Sequence, residues 1–267
     1  MKRLVQLFAV LLMAATFITS CVSDDSQSSL NEEISQEVLA QIKHLGFSTE
    51  NVQKVEEGYL VEEDIILTHE NLQDVPNSPL LRIAGEEQYH TFNLVTGLPR
   101  TITVTTSGGN ITTGLSNAIN AAIARYNAEN LGLTFVRGGS SGSGDINIRV
   151  VNTNQYIASA GFPSGGNPYF EIKYARRYNN YSAGFMTTVI AHEMGHCIGF
   201  RHTDYMNRSY SCGSGGNEGQ TTTGVGAVHI PGTPTGPDAA SWMLACLSST
   251  TDRPFNSNDK VALDYLY

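Results

Sequence analysis

The sequence predicts an α/β or α+β layer in which a long helix packs on a mixed sheet. The first observation is the order of patterned segments between residues 101 and 199, which is β-α-β-β-β-β-α. The second is uneven charge, because residues 22–90 hold 15 acidic and 3 basic residues whereas residues 91–267 hold 10 and 11. We therefore expect a small acidic section in front of a nearly neutral domain.

The long helices of the rear section are predicted from apolar residues that recur every three or four positions. Residues 111–128 carry such a stripe, from Leu115 to Tyr126, and a second long helix is predicted from about residue 182 to 199. Short runs rich in β-branched and aromatic residues predict the strands. These runs are residues 101–105, 133–136, 146–150, 157–162 and 169–174.

The acidic section has weaker patterns. Residues 32–45 have helical spacing with an acidic first turn, and residues 59–61 and 65–67 are short β-like runs. The stretch from 71 to 85 contains prolines and a glycine and is predicted to be a linker. Since the section is too small for a large core of its own, a spacer, a binding module and a propeptide all stay open.

The first 21 residues have the pattern of an export signal. Lys2 and Arg3 precede an uncharged, mostly apolar run that is too short for a comfortable membrane span. The run ends at Cys21 and resembles the lipobox of bacterial lipoproteins, which implies a signal peptide over residues 1–20 and a lipid on Cys21. We expect export and lipid anchoring to a bacterial membrane, the outer membrane or cell surface, with release when the front section is cut. An ordinary signal with an incidental cysteine is the alternative.

The overall composition excludes several classes of function. The chain has a formal net charge of −9 and 40% hydrophobic residues. A broad basic surface for nucleic acid and a wholly disordered chain are both excluded. We expect a monomer that contacts a membrane only through its lipid anchor.

Export also sets the number of cysteines that remain for disulfides. With Cys21 lipidated, Cys197, Cys212 and Cys246 are left, and an oxidising environment favours one disulfide and one thiol. Three pairings are open. A Cys212–Cys246 disulfide is the candidate that constrains the chain most, because it closes a glycine-rich loop.

Residues 192–204 place metal-binding chemistry on the second long helix. His192 and His196 are four residues apart, so their imidazoles leave one helix face together and can bind one ion. Glu193 lies beside them and can reach a metal-bound water. Gly199 allows the chain to leave the helix, which brings His202 round as a third ligand. Three neutral imidazoles with an open position predict one catalytic Zn²⁺ ion.

The pattern His-Glu-x-x-His-x-x-Gly-x-x-His resembles the metzincin metalloproteases. The residues around it are most similar to the bacterial dual-action HEIGH metallopeptidases, and the resemblance spans about residues 99–267. It implies an α+β fold with two long helices on a twisted, mixed sheet of five strands. It further implies a Met-turn beneath the zinc, with Met243 as the candidate methionine. It also implies a short C-terminal helix over residues 256–267.

The resemblance implies a zinc endopeptidase that cleaves proteins or peptides. Glu193 would accept a proton from the zinc-bound water that attacks the peptide bond. An edge strand binds extended substrate in metzincins, and the matching residues here are Ala158, Ser159, Ala160 and Gly161. The sequence does not indicate a structural Ca²⁺ ion.

Two positions depart from other metzincins. Ala245 stands where several groups have a tyrosine ligand, so no tyrosine switch is expected. Thr203 separates His202 from Asp204, whereas adamalysin-like members have aspartate directly after the third histidine. Asp204 is therefore expected either to brace the turn or to orient a ligand.

If residues 91–267 form a protease, the best interpretation of residues 22–90 is a propeptide. We expect that a cut between about residues 80 and 100 removes it, with Arg82 and Arg100 as candidate cleavage sites. No cysteine lies between Cys21 and Cys197, so a carboxylate from Asp64 or Asp74 is the candidate zinc latch. A folding aid is the alternative role. Two other functions stay open, a non-catalytic surface-binding lipoprotein on a protease-like fold and a zinc hydrolase of non-peptide amides.

Overall fold

The computed structural model describes residues 34–73, 88–217, 224–234 and 236–267. Residues 34–267 form one compact unit. The predictions about the export signal, Cys21, Asp74 and Arg82 concern residues outside the described ranges. Within those ranges, no helix is both long enough and apolar enough to cross a membrane.

The long elements lie within a few residues of their predicted bounds. Several elements of five residues or fewer, such as the helix His69–Gln73, were not predicted because they are too short to carry a pattern. The elements in chain order are α1 (Gln36–His44), β1 (Gln53–Val55), β2 (Gly58–Val61), β3 (Ile65–Thr68), α2 (His69–Gln73), β4 (Tyr89–His90), β5 (Arg100–Gly108), α3 (Thr113–Asn127), β6 (Leu133–Arg137), β7 (Ile146–Val151), β8 (Ala158–Ser159), β9 (Glu171–Ala175), a 3-10 turn (Arg176–Tyr178), α4 (Ala183–Cys197), α5 (Ser209–Cys212), β10 (Val228–His229) and α6 (Ser257–Leu266).

The main sheet has the strand order β6-β5-β7-β9-β8, which confirms a mixed sheet of five strands. The first four strands are parallel to one another, and β8 pairs antiparallel with β9 at the edge. The predicted strand over residues 157–162 is shorter than expected, because only Ala158 and Ser159 pair with β9. Ala160 instead donates to the carbonyl of Asp64 (2.9 Å) and accepts from the N–H of Ile66 (2.7 Å).

Two residues just before residue 91 pair with the rear section. β4 pairs with β10, and the carbonyl of Tyr89 accepts from the N–H of Arg201 at 2.9 Å. Arg100 begins β5, where its N–H donates to the carbonyl of Gly132 at 2.8 Å. A cut after Arg100 would therefore disrupt the main sheet, whereas a cut before Gln88 would leave it whole.

The helices α3 and α4 are both capped at their N-termini, and they pack against each other. The side chain of Thr112 caps α3, and the side chain of Ser182 caps α4. The hydroxyl of Tyr126 in α3 donates to the carbonyl of Ala191 in α4 at 2.7 Å. Every residue of α4 from Phe185 to Cys197 is buried, so the polar side chains in this stretch need specific partners.

The front segment, residues 34–73, supplies most of a small hydrophobic cluster that is separate from the main core. The cluster includes Leu45, Phe47 and Ile65, and two residues of the rear section, Phe162 and Val225, complete it. The segment therefore gains part of its apolar burial from the rear section.

A disulfide joins Cys212 to Cys246 across a sequence separation of 34 residues. This is the pairing that the glycine-rich loop favours. Cys197 lies buried in α4 with a free thiol. Burial raises its pKa well above the usual range, and the charge of Glu193 raises it further, so this thiol is unreactive.

The C-terminal helix α6 is fixed by one buried carboxylate. Asp259 completes a capping box with Asn256, and its oxygens accept from the N–H of Trp242 (3.3 Å) and from the side-chain amide of Gln88 (2.8 Å). One residue thus connects the helix start to two distant segments of the rear section.

Replacing Asp259 with Ala should lower the free energy of unfolding by on the order of 2–4 kcal/mol, because three N–H groups lose a buried acceptor. Urea denaturation of the full chain measures the change. Asp264→Ala, in the same helix but exposed, is the control and should shift stability by less than about 0.5 kcal/mol. Equal effects of the two substitutions would contradict this account of Asp259.

Candidate metal centre

The chain leaves α4 through Gly199, which has a φ of 110°. A Cβ at this position would lie 2.9 Å from the carbonyl oxygen of Asn93, so glycine is required for space as well as for φ. The turn brings His202 against the two histidines of the helix. Its ring centroid lies 5.3 Å from that of His192 and 4.9 Å from that of His196.

Four buried side chains present ligand atoms to one point. The ligand atoms of Asp64, His192, His196 and His202 all lie within 4.8 Å of one another. The Nε2 atoms of His192 and His196 are 3.0 Å apart. Oδ2 of Asp64 is 3.1 Å from Nε2 of His202 and 3.5 Å from Nε2 of His192.

Backbone carbonyls set the orientation of the two helical imidazoles. Nδ1 of His192 lies 2.8 Å from the carbonyl oxygen of Trp242, and Nδ1 of His196 lies 2.8 Å from that of Phe200. A carbonyl oxygen can only accept, so both Nδ1 atoms carry the proton in the neutral rings. Both Nε2 lone pairs then point toward the shared centre, as metal-binding imidazoles require.

Burial favours the neutral form of His196. Desolvation lowers its pKa well below the usual range, and the charges of His192 and His202 lower it further. Burial also opposes ionisation of Asp64, but the imidazoles, led by His202, outweigh it and hold the pKa of Asp64 well below its usual range. His196 is therefore a neutral nitrogen donor, and Asp64 is a carboxylate.

These donors fit a bound divalent metal ion. Tetrahedral zinc with Zn–N bonds of about 2.1 Å places its ligand atoms about 3.4 Å apart, close to the separations of 3.0, 3.1 and 3.5 Å measured here. Two Nε2 lone pairs that face each other at 3.0 Å also repel unless a cation lies between them. A nitrogen-rich set of this kind suits zinc better than calcium or magnesium.

Glu193 lies next to the histidine cluster. It is 3% exposed, and its Oε2 atom has no hydrogen-bond partner among the residues that the structure describes. Burial raises its pKa well above the usual range, and the carboxylate of Asp64 raises it further. A cavity of about 280 Å³ opens beside Glu193. Its lining includes His192, Ala158 at the sheet edge and Ala245 after the Met243 turn.

The segment around Met243 lies against α4 beneath the histidines. The N–H of Thr203 donates to the carbonyl of Met243 at 2.9 Å, and the indole of Trp242 donates to the carbonyl of Ala191 at 3.3 Å. Sδ of Met243 would lie 2.6 Å from a Cβ built on Gly195. The helix and the methionine turn are thus in direct contact.

Asp204 braces the segment after Met243. Its Oδ1 accepts from the N–H of Ala245 at 3.0 Å, and its Oδ2 accepts from the hydroxyl of Ser211 at 2.5 Å. The same hydroxyl accepts from the N–H of Cys246 at 3.0 Å. Of the two roles expected for Asp204, these contacts support bracing of the turn.

The structure brings most of the predicted site residues together. His192, Glu193, His196 and His202 share the centre, Met243 lies under α4, and Ala158 lines the cavity. Ser159 lies in the edge strand beside it, and Ala160 pairs with the front segment. Gly161 packs against the ring of Tyr169.

Sequence reasoning did not single out the two carbonyls that orient the imidazoles, because a backbone carbonyl leaves no mark in the sequence. It named Asp64 as one of two candidate zinc latches, the other being Asp74. The structure adds Glu62, whose Oε2 lies 3.9 Å from Nδ1 of His202.

The helix over the sheet thus carries a buried histidine cluster that could hold a metal ion. The family described as "Dual-action HEIGH metallo-peptidase" matches residues 59–267. The chain belongs to this family of metallopeptidases, which are hydrolases that act on peptide bonds. The match includes β2, β3 and Asp64 of the front segment.

Two similar solved structures are titled "Structure of myroilysin" and "Crystal structure of myroilysin". The first has 16% identity and a TM-score of 0.45, and the match covers 66% of this chain and 96% of the other. The second has 16% identity and a TM-score of 0.40, and the match covers 65% and 86%. No curated protein matches the sequence.

Replacing Gly195 with Ala should destabilise the protein by about 1–3 kcal/mol, because the new methyl group meets Sδ of Met243 at 2.6 Å. Denaturant unfolding of the full chain measures the change. Gly139→Ala is the matched control, since a Cβ there meets no atom within 4 Å. If Gly195→Ala were as stable as the control, helix and turn would not be tightly packed.

Proposed function

We propose that the protein is a zinc-dependent endopeptidase in which Glu193 is the general base and the front segment keeps the enzyme latent. The observation that carries the proposal is the buried cluster of three imidazoles with Glu193 beside it. Zinc, when bound by His192, His196 and His202, would polarise the scissile carbonyl and lower the pKa of a water molecule.

Glu193 has the properties that a general base needs. It lines the cavity beside the histidines, and its Oε2 atom has no hydrogen-bond partner among the described residues. We propose that it accepts a proton from the attacking water and passes it to the leaving amine. A purely binding protein gains nothing from a buried carboxylate without a partner, which argues against a non-catalytic lipoprotein.

The sheet edge supports a peptide as the substrate. Asp64 and Ile66 already pair with Ala160 through two backbone hydrogen bonds of 2.9 and 2.7 Å. An extended chain therefore fits against this edge beside the histidines. Backbone pairing tolerates many sequences, so side-chain pockets such as the 280 Å³ cavity would select among substrates.

The same contacts support latency. Asp64 presents a carboxylate at the position that a catalytic zinc site leaves for water or substrate. Lys173 of β9 forms a short ion pair with Glu57, which holds the front segment on the main sheet. Arg208 also donates to the carbonyl of Glu62 at 2.8 Å. We propose that cleavage of the chain before Gln88 allows this segment to leave.

Glu193→Gln should retain bound metal and lose turnover by about 10²–10⁴-fold, because the amide cannot accept the proton. The test uses full-length protein that has been treated with trypsin, with casein cleavage and metal content measured on the same sample. A chelator should abolish cleavage, and zinc should restore it. Glu129→Gln is the control and should remain active. Undiminished turnover in Glu193→Gln would refute the mechanism.

Asp64→Asn should raise the activity of the uncut full chain roughly tenfold to hundredfold, because the front segment loses its charged contact with the histidines. The neighbouring Glu63→Gln, an exposed position, is the control and should leave the latent activity unchanged. After trypsin treatment, all three proteins should reach equal activity. Latency that persists unchanged in Asp64→Asn would show that Asp64 is not the latch.

A further inference from the structure

The end of α1 directs one aromatic side chain toward the rear section. Gly46 follows the helix with a φ of 83°, and the N–H of Phe47 donates back to the carbonyl of Ile42 at 3.2 Å. The N–H of Gly46 donates to the carbonyl of Lys43 at 3.1 Å. These two bonds are those of a Schellman motif, which fixes the direction of the chain after the helix. Phe47 is consequently held in place by backbone geometry.

Phe47 fills a pocket whose walls belong to the rear section. The guanidinium of Arg201 lies 3.9 Å from the centroid of the Phe47 ring. The ring of Phe162 lies 6.2 Å from that of Phe47. Arg201 is 0% exposed and Phe162 is 2% exposed, so the phenyl ring covers both.

The pocket adjoins the metal centre. The ring centroid of Phe162 lies 5.6 Å from that of His196, and Arg201 directly precedes His202. The residues that form it do not line the 280 Å³ cavity beside Glu193. The centre therefore has two separate recesses beside it, one open and one filled by Phe47.

We propose that the recess formed by Arg201 and Phe162 is a specificity pocket for an aromatic side chain of the substrate, and that Phe47 occupies it in the latent protein. The inference rests on the proposed peptidase function. When the front segment leaves, Phe162 and Val225 lose the apolar side chains that cover them. A substrate ring that replaces Phe47 restores that burial and the stacking on Arg201.

The orientation of Arg201 selects an aromatic ring over a carboxylate. Nη1 of Arg201 donates to the carbonyl of Val225 at 2.6 Å, so this edge of the guanidinium is directed at the protein. Phe47 covers the planar face. A carboxylate binds to the N–H edge of a guanidinium, whereas an aromatic ring stacks on its face. A leucine side chain of the substrate would be buried in the same recess, but it would not stack on the guanidinium of Arg201.

The test compares peptides that differ at a single position near the cleaved bond, where they carry Phe, Leu, Ala or Asp. The enzyme is the full chain after trypsin treatment and removal of the released segment. At one position, kcat/KM for the Phe peptide should exceed that for the Ala peptide by about tenfold, with the Leu peptide between them. The Asp peptide should be the poorest.

Arg201→Met should reduce the preference for Phe over Leu to about unity, measured as the ratio of the two kcat/KM values in the same enzyme sample. Arg176→Met, an exposed arginine, is the matched control and should keep the full preference. Phe162→Leu provides a second variant in case Arg201→Met does not fold, and should lower the preference for Phe over Ala severalfold. An unchanged preference in a folded variant, or a preference for Asp that depends on Arg201, would overturn the proposal.

A binding measurement separates this inference from the proposed function. Trimmed Glu193→Gln protein should bind the Phe peptide about tenfold more tightly than the Ala peptide in fluorescence anisotropy, and Arg201→Met should remove the difference. If no peptide is cleaved but this difference is found, the proposed function fails and the pocket stands. If peptides are cleaved without any preference for Phe, the pocket fails and the peptidase function stands.

Discussion

The metal centre depends on two hydrogen bonds from imidazole to backbone. The carbonyls of Trp242 and Phe200 fix the rings of His192 and His196, so that both Nε2 lone pairs meet at one point in a buried space. Each carbonyl is placed by a different part of the fold. Asp259 accepts from the N–H of Trp242, and the turn at Gly199 positions Phe200. The C-terminal helix α6 and the turn at Gly199 therefore help to orient the two imidazoles of the candidate metal centre.

The acidic character of the front segment has a local explanation at three positions. Glu57 pairs with Lys173, Oε2 of Glu62 lies 3.9 Å from Nδ1 of His202, and Asp64 contacts His202 and His192. The other acidic residues that the structure describes in this segment do not belong to the cluster of ligand atoms, so the average charge is a poor guide to how this segment acts. The geometry of β3 matters more, because it brings Asp64 to the histidines while its backbone pairs with Ala160 at the sheet edge.

The sequence was sufficient to predict the parts of the site whose residues must stand at fixed intervals along the chain. Histidines four residues apart, followed by Gly199 and His202, predicted the cluster because a helix and a turn leave few other arrangements. The five strands were predicted because period-two patterns are visible over several residues. Asp64 could not be distinguished from Asp74, since the choice depends on how a small segment docks on the rear section. The role of Phe47 was also invisible, because an aromatic residue after a helix usually signifies packing, and its partners Arg201 and Phe162 lie far along the chain.

The proposed latency and the proposed specificity pocket involve the same surface of the rear section. Phe47 and Ile65 belong to one hydrophobic cluster, and Asp64 directly precedes Ile65. The phenyl ring of Phe47 and the carboxylate of Asp64 are therefore held by the same packed segment. A peptide that displaced only Asp64 would still meet Phe47 in the recess, and one that displaced only Phe47 would still meet the carboxylate. In the proposed latent state, Phe162 and Val225 complete one cluster with the front segment, so Phe47 and Asp64 would leave together when that segment loses its attachment to the rear section. A single cut in the chain would then open both the histidine cluster and the proposed pocket beside it.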